Sequence, residues 1–144
     1  MPKTSRLALI VAAAFVLTAC GSSDDGGSGA TGATAPSTDR PSSTAKLSIV
    51  TPKVGEVVHG SSVDLRVKLR GARIVPATTT NIVLDEGHLH VLLDDTLISM
   101  TQGIEQTIRN VTPGPHRIQV EFVASDHAPF EPRVVAVVAF EVSP

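Results

Sequence analysis

A regular alternation of apolar and charged residues runs through the middle of the chain. From Val63 to Arg70 every odd position is apolar and every even position is charged. Successive side chains of a β-strand point to opposite faces, so this period of two predicts a strand with one buried face. The segment from Arg117 to Phe122 alternates in the same way, and Val134 to Phe140 is apolar on both faces. The last pattern predicts a strand that is central or covered, and the chain shows no convincing amphipathic helix.

Turn-forming residues separate these strands at short, regular intervals. They are Pro52, Gly60, Gly71, Asp94–Asp95, Gly103, Pro113–Gly114 and Pro129. Short strands divided by such turns are typical of an all-β sandwich. We therefore predict one antiparallel sandwich of about seven strands over residues 46–144. Residues 71–87 fit less well, because this long connection contains only Ile82–Leu84 as a strand candidate.

Two motifs point to a particular kind of sandwich. Ser48–Pro52, followed by Gly55, resembles the first strand and bend of bacterial immunoglobulin-like domains. Val111–Val120 resembles their E–F corner, where a Pro-Gly turn precedes an aromatic residue and then strand F. The resemblance implies an immunoglobulin-like fold and a structural corner role for His116, which stands where Tyr is usual. The chain has no Trp and a single Cys, which excludes the antibody type with its inter-sheet disulfide.

The amino terminus has the three parts of an export signal. Lys3 and Arg6 precede an apolar run from Leu7 to Leu17, which is shorter than the ~20 residues that span a bilayer as a helix. The following Leu17–Cys20 (Leu-Thr-Ala-Cys) resembles the lipobox of bacterial lipoproteins. The resemblance implies cleavage after residue 19, a diacylglycerol thioether on Cys20, and attachment to the extracytoplasmic face of the cell membrane.

The segment that follows predicts a spacer. Residues 20–45 begin with the lipidated Cys20 and then contain small and polar residues without a large apolar side chain, which is typical of a flexible linker. Removing residues 1–19 takes away two of the 12 basic residues and none of the 14 acidic ones, leaving a formal charge of −4. This balance argues against nucleic acid as a partner.

Histidines on one predicted strand and one predicted loop form the candidate site. His88 and His90 are two positions apart, so they share a face opposite Leu89, Val91 and Leu93. If this apolar trio faces the core, both imidazoles face solvent. The strand with these histidines would be strand C of an immunoglobulin-like sandwich. In such a sandwich, strand C lies in the same sheet as strands F and G. The F–G loop with Asp126 and His127 would then lie at the same pole, and His116 at the opposite one.

This placement leaves three interpretations open: a metal site, a structural role, and direct contact with a ligand or partner. Imidazoles suit Zn or Cu, and the thioether of Met100, on the strand after the Asp94–Asp95 turn, would favour Cu(I). Asp126 and Glu86 are further candidate ligands. The structural alternative is that His88, His90 and His127 are solvent-facing or hydrogen-bonded residues that shape the F–G loop. No cofactor is certain from the sequence, with Cu or Zn as the candidates.

The same motifs resemble a group of proteins. Gly87-His88-x-His90, then Pro113-Gly114-x-His116 and Asp126-His127-x-Pro129, are similar to small bacterial exported families of uncharacterised function. The resemblance covers about Asp85 to Val134 and implies an exported immunoglobulin-like domain without a settled activity.

Two hypotheses for function follow. The first is a lipid-anchored, non-catalytic binding or adaptor module of the cell envelope, whose partner is an envelope protein or a small ligand. The second is an envelope protein that binds copper or zinc through His88, His90 and His127. Ser125-Asp126-His127 contains the residue types of a hydrolase triad, but adjacent residues cannot form its relay. We therefore predict that the protein is not an enzyme. The oligomeric state does not follow from the sequence.

Overall fold

The computed structural model describes residues 39–76 and 81–144, and the predicted signal peptide, Cys20 and most of the predicted linker lie outside them. These residues form nine strands and no helix. The strands are β1 (Lys46–Thr51), β2 (Val57–His59), β3 (Ser62–Arg70), β4 (Arg73–Ile74), β5 (Glu86–Leu93), β6 (Thr96–Thr101), β7 (Glu105–Arg109), β8 (Gly114–Val123) and β9 (Pro129–Ser143). Within this described part of the chain, no helix is long and apolar enough to cross a membrane.

The strands form two sheets. One sheet has the order β1–β3–β7, and the other has the order β2–β9–β8–β5–β4 with β6 also paired to β5. The long pairs β5–β8, β8–β9, β1–β3 and β3–β7 are all antiparallel. This arrangement is that of an immunoglobulin-like sandwich, with β5, β8 and β9 as the C, F and G strands of one sheet. The predicted fold class is confirmed.

The core lies between the sheets and is built from the alternating residues. Val63, Leu65 and Val67 of β3 are at most 3% exposed, whereas the charged residues between them are exposed. Leu89 and Val91 of β5 are fully buried on the opposing sheet. Burying one face of each strand in this way fixes the register, because a slip of one residue would turn the charged face inward.

The strand count differs from about seven because two short strands join the sheet in parallel. β2 pairs with the end of β9, and β4 pairs with the start of β5. β4 takes its place through hydrogen bonds from Arg73 N to Asp85 O and from Val75 N to Gly87 O, each 2.8 Å. Ile82–Leu84, the strand candidate of the long connection, is therefore not a strand, and Ile82 packs against the core from a loop.

Strand β9 is covered less completely than its composition predicts. β2 pairs only with Glu141–Ser143 of β9, and Val135 and Val137 nearer the start of β9 are 36% and 49% exposed. The apolar run is buried on the core side, where Val138 and Phe140 are each 4% exposed. The second apolar face of this strand therefore lies partly at the protein surface.

The turn between β5 and β6 has the predicted position and a defined geometry. Asp94 and Asp95 both adopt left-handed backbone conformations, with φ of 47° and 67°. Two consecutive residues with positive φ are characteristic of a type I′ hairpin turn. This short turn reverses the chain so that β6 runs back along β5 and places Met100 beside His90.

Candidate metal centre

Strand β5 presents His88 and His90 on the face away from the core. Leu89 and Val91 point inward and are fully buried, so the pleat turns the two histidines outward. β8 pairs with β5 so that His88 is opposite Val123 and His90 is opposite Glu121. The chain leaves β8 at Val123 and therefore begins the next loop directly beside His88.

That loop, residues 124–128, brings His127 back over the sheet. The turn is closed by hydrogen bonds from His127 N to Ala124 O at 3.0 Å and from Ala124 N to Ala128 O at 3.1 Å. His127 itself adopts a left-handed conformation with φ of 64°. A non-glycine residue reaches this region at a cost of ~1–2 kcal/mol. The tight turn places the imidazole of His127, which is exposed, beside that of His88 on β5.

The three imidazoles meet at one point. His88 Nε2 lies 3.1 Å from His90 Nε2 and 3.1 Å from His127 Nδ1. One ring nitrogen from each of the three histidines lies within 4.8 Å of the other two. The predicted juxtaposition of β5 and the β8–β9 loop is therefore present, and it brings three nitrogen donors together.

The expectation that both strand histidines face solvent is wrong for His88. His88 is only 2% exposed, His90 is half-buried and His127 is exposed. The side chain of His88 leaves the core-facing row as predicted, but the β8–β9 loop and the other two imidazoles cover it. The alternation in the sequence predicts on which face of a strand a side chain lies. It does not predict which other residues pack over that face.

Burial also lowers the pKa of the two strand histidines. It lowers the pKa of His88 from 6.5 to about 4, and the neighbouring His90 and His127 add to the effect. Burial and His127 likewise lower the pKa of His90, whereas the charge of Glu121 acts to raise it. Both strand imidazoles are thus neutral at pH 7, which is the form that binds a metal ion.

Met100 and Glu121 flank His90 on the same face of the sheet. Met100 is its cross-strand partner on β6 and is 56% exposed, whereas Glu121 is its partner on β8 and is 5% exposed. Directly opposed residues have Cβ atoms about 5 Å apart. Glu121 is buried despite lying in the polar row of β8 because Arg133 covers it and donates hydrogen bonds from Nε and Nη2 to its carboxylate.

The two other candidate ligands are engaged elsewhere. Asp126 accepts hydrogen bonds from Arg40 on both carboxylate oxygens, at 2.6 and 3.0 Å. The hydrogen bond from Arg40 lowers the pKa of Asp126 despite the opposing effect of burial. Glu86 accepts hydrogen bonds from Arg73 instead. Neither carboxylate belongs to the group of donor atoms around His88.

His116 lies at the far end of β8 and has a different environment. Its Nδ1 is 2.7 Å from Asp94 Oδ2 and its Nε2 is 2.7 Å from the carbonyl oxygen of Thr112, four residues upstream. Burial opposes protonation of His116, but these hydrogen bonds outweigh it and raise the pKa. Both ring nitrogens are thus used within the fold, as a corner residue would use them. His59 lies 2.6 Å from Ser143 Oγ through its Nδ1.

Arg40 was not identified from the sequence. It lies in the segment predicted as a linker, and no periodic pattern accompanies it. The one available signal was that Arg40 is the only basic residue between Gly21 and Ala45. Its neighbours also contact the sandwich: Thr44 Oγ1 donates to Gly71 O at 2.7 Å, and Ala45 is 8% exposed.

Comparison with known proteins gives similarity of fold only. No protein-family model matches the chain, and no curated protein matches it. Among solved structures it is similar to the fibronectin(III)-like modules of CbhA from Clostridium thermocellum, with 19% identity, a TM-score of 0.48, and coverage of 67% of this chain and 93% of that one.

Two further solved structures are similar at the same level. The PKD domain of human KIAA0319 is 17% identical with a TM-score of 0.43, over 83% of this chain and 93% of that one. The CARDB domain of PF1109 from Pyrococcus furiosus is 17% identical with a TM-score of 0.42, over 71% and 96%. At these values no functional residue is transferred from these proteins to this chain.

Proposed function

We propose that this protein is a non-catalytic metal-binding lipoprotein of the cell envelope, which binds a copper or zinc ion through His88, His90 and His127. In this proposal the lipid on Cys20 attaches the chain to the extracytoplasmic face of the cell membrane, and the immunoglobulin-like domain carries the site. The convergence of three ring nitrogens on one point is the observation that carries the proposal.

The spacing of the nitrogens suits a single ion. Imidazole nitrogens bind zinc at roughly 2.0–2.1 Å, so two of them on a tetrahedral ion lie roughly 3.3 Å apart. The two measured separations from His88 Nε2 are both 3.1 Å. The third pair, His90 and His127, has ligand nitrogens within 4.8 Å of each other, so these two rings would adjust to bind the same ion. Three protein ligands also leave the fourth coordination position of a tetrahedral ion open.

A purely structural role accounts poorly for His88. Buried polar atoms are almost always hydrogen-bonded. His116, the corner residue, follows this rule with both ring nitrogens paired. His88 does not, because its buried Nδ1 has no hydrogen-bond partner among the described residues and its Nε2 faces only other imidazoles. The unpaired Nδ1 does not itself point to a ligand. Nε2 can form one hydrogen bond but lies 3.1 Å from two other ring nitrogens, and one ion bound by all three nitrogens would account for that arrangement.

The backbone at His127 supports the same conclusion. Strained conformations of non-glycine residues occur often at functional sites, where the side chain is needed in spite of the cost. At φ of 64° glycine or asparagine would be the usual choice for a tight turn. The presence of histidine places a ring nitrogen 3.1 Å from His88 Nε2, which neither of those residues can do.

Met100 is the side chain that bears on the choice of metal. Met100 is the cross-strand partner of His90 and is largely exposed, so its side chain is not held in the core. Thioether ligands favour Cu(I), whereas zinc is well served by imidazole and water. We propose that Met100 contributes to the binding of Cu(I) and does not contribute to that of Zn(II).

Competition titrations with Cu(I) and Zn(II) test the proposal. The protein is extracted from membranes in detergent with its lipid anchor, because a free Cys20 thiol would itself bind Cu(I). The parent is compared with His88→Ala/His90→Ala, and with His59→Ala as the matched control outside the cluster. We expect the double variant to bind both metals at least about 100-fold more weakly, since even a residue that only supports a ligand contributes 10–100-fold.

The control and the Met100 variant complete the experiment. His59→Ala should bind as the parent does, and circular dichroism should show that the double variant remains folded. Met100→Leu should weaken Cu(I) binding and leave Zn(II) binding unchanged. If the folded double variant binds both metals as tightly as the parent, the proposed function is wrong.

A further inference from the structure

We propose that Arg40 is a positioning residue of the histidine cluster, and that metal binding and the docking of residues 40–41 on the β8–β9 loop reinforce each other. The inference rests on the proposed metal-binding function. It adds a link between the site and the segment that leads toward the lipid anchor. This link follows from the contacts that Arg40 makes with the residues on both sides of His127.

The guanidinium of Arg40 holds the His127 loop through four hydrogen bonds. Nη1 and Nη2 donate to the two oxygens of Asp126 at 2.6 and 3.0 Å. Nη2 also donates to Ala128 O at 3.0 Å, and Nε donates to Pro129 O at 2.8 Å. Arg40 therefore contacts the residues on both sides of His127, across 86–89 positions of the chain.

Docking of this segment has a second point of attachment. The amide of Glu131, just after the loop, donates to Pro41 O at 3.0 Å. Asp126 and Arg40 are only 20% and 22% exposed in their side chains, so the ion pair is mostly shielded from solvent. A forked pair of this kind is directional as well as attractive, and it fixes the orientation of both partners.

The loop can form without Arg40 but would be less well fixed. Its internal hydrogen bonds remain, including the one from Ala128 N to Asp126 Oδ1 at 3.1 Å. A metal ligand must be held close to its productive geometry, and the loss of a supporting residue typically lowers metal affinity 10–100-fold. His127 is the one ligand that lies on a loop, so its position depends most on such support.

Thermodynamic linkage makes the effect reciprocal. If Arg40 raises metal affinity by a given factor, the bound metal stabilises the docked state of residues 40–41 by the same factor. Occupancy of the site would thus be transmitted to the chain that precedes the domain. The amide of Glu131 provides a direct report on that docking because it donates to Pro41.

The test compares Zn(II) affinity of the parent, Arg40→Gln and Arg66→Gln, all as full-length protein. Arg66 pairs with Glu105 at 2.9 Å on the other sheet, and its loss should leave zinc binding unchanged. We expect Arg40→Gln to bind zinc about 10-fold more weakly. A merely electrostatic role predicts the opposite sign, because removal of a positive charge favours a cation.

Two further measurements separate positioning from general stability. Asp126→Asn should weaken zinc binding to a similar extent, and the double variant should be no weaker than either single variant. Hydrogen exchange of the Glu131 amide should slow about 10-fold when zinc is added to the parent and change little in Arg40→Gln. Zinc slows exchange through global unfolding in any variant that binds it, so the result that tests positioning is the difference between the parent and Arg40→Gln.

The outcomes are distinguishable from those of the proposed function. If the parent binds no metal, the proposed function fails and this inference fails with it. If the parent binds zinc and Arg40→Gln binds it equally or more tightly, only the role of Arg40 is overturned.

Discussion

His88 Nε2 lies 3.1 Å from His127 Nδ1, although the two residues are 39 positions apart. The pairing of β5 with β8 brings them together, because His88 is opposite Val123 and the loop with His127 begins immediately after. The register of one strand pair therefore places a loop residue over a strand residue. The proposed metal site depends on this register, and the following predictions test it.

His127→Gly should separate metal binding from stability. Glycine adopts positive φ without the ~1–2 kcal/mol that other residues incur, and its greater freedom in the unfolded chain offsets roughly 0.5–1 kcal/mol of that gain. The free energy of unfolding of the metal-free protein should therefore change by less than about 1 kcal/mol, while zinc affinity is lost. Urea denaturation and zinc titration measure the two quantities. His90→Gly, which places glycine in a strand, should lose both stability and zinc affinity. A His127→Gly variant that retains the parent's zinc affinity would contradict the proposed site.

The metal-free protein should become less stable as the pH falls from about 6.5 to about 4. Burial lowers the pKa of His88 from 6.5 to about 4, so in this range the unfolded chain takes up a proton that the folded chain does not. The contribution of His88 to the free energy of unfolding is therefore complete above pH 6.5 and is lost as the pH falls toward 4. At about 1.4 kcal/mol per pKa unit the loss is roughly 3 kcal/mol.

Urea denaturation in the presence of a chelator measures this pH dependence. His88→Asn removes the titrating group and should give a flatter curve over the same range. If parent and variant lose stability equally, His88 is not the group responsible.

Gly87→Ala should disrupt both the fold and the site. A Cβ at this position would lie 2.0 Å from the carbonyl oxygen of Val123 and 2.9 Å from Phe122 Cζ, so β5 would have to move away from β8 next to His88. We expect a loss of roughly 1–3 kcal/mol of stability and weaker zinc binding. Gly103→Ala is the matched control, because its Cβ would make only ordinary contacts at 3.6 Å. Equal stability of the two variants would show that β5 and β8 are not packed as described.

His116→Phe should lower stability without affecting the metal site. Phenylalanine retains a ring near Phe140, whose centroid lies 5.9 Å from that of His116, but it loses the hydrogen bonds to Asp94 and Thr112. Those two bonds together predict a loss of about 1–3 kcal/mol in the free energy of unfolding. Thermal unfolding and zinc titration provide the measurements, and a clear fall in zinc affinity would argue against a purely structural role at the corner.

Cys20→Ala should release the protein from membranes. The predicted lipid is the proposed anchor, and the loss of its acyl chains removes the apolar surface that would bind the bilayer. Membrane fractionation measures the association, and mass spectrometry of the parent detects the modification. An unmodified Cys20 in the parent, or a variant that stays in the membrane fraction, would show that the lipobox interpretation is wrong.

The sequence by itself was sufficient for the features that depend on local physics. The alternation from Val63 to Arg70 determined a strand and its buried face, and two adjacent Asp residues after β5 determined a hairpin turn. The period of two also placed His88 and His90 on one face. Each of these follows from the geometry of a single segment, so no distant part of the chain is needed to infer it.

Only the tertiary structure decided what covers those segments. His88 is buried because the β8–β9 loop lies over it, Glu121 is buried because Arg133 covers it, and Arg40 is docked because Asp126 faces it. β4, which was not predicted, pairs with the edge of β5, whereas Ile82–Leu84, the predicted strand candidate, lies in a loop. These outcomes depend on contacts between residues far apart in the chain. Periodicity reports the orientation of a side chain, whereas burial and pairing depend on what the whole fold brings above it.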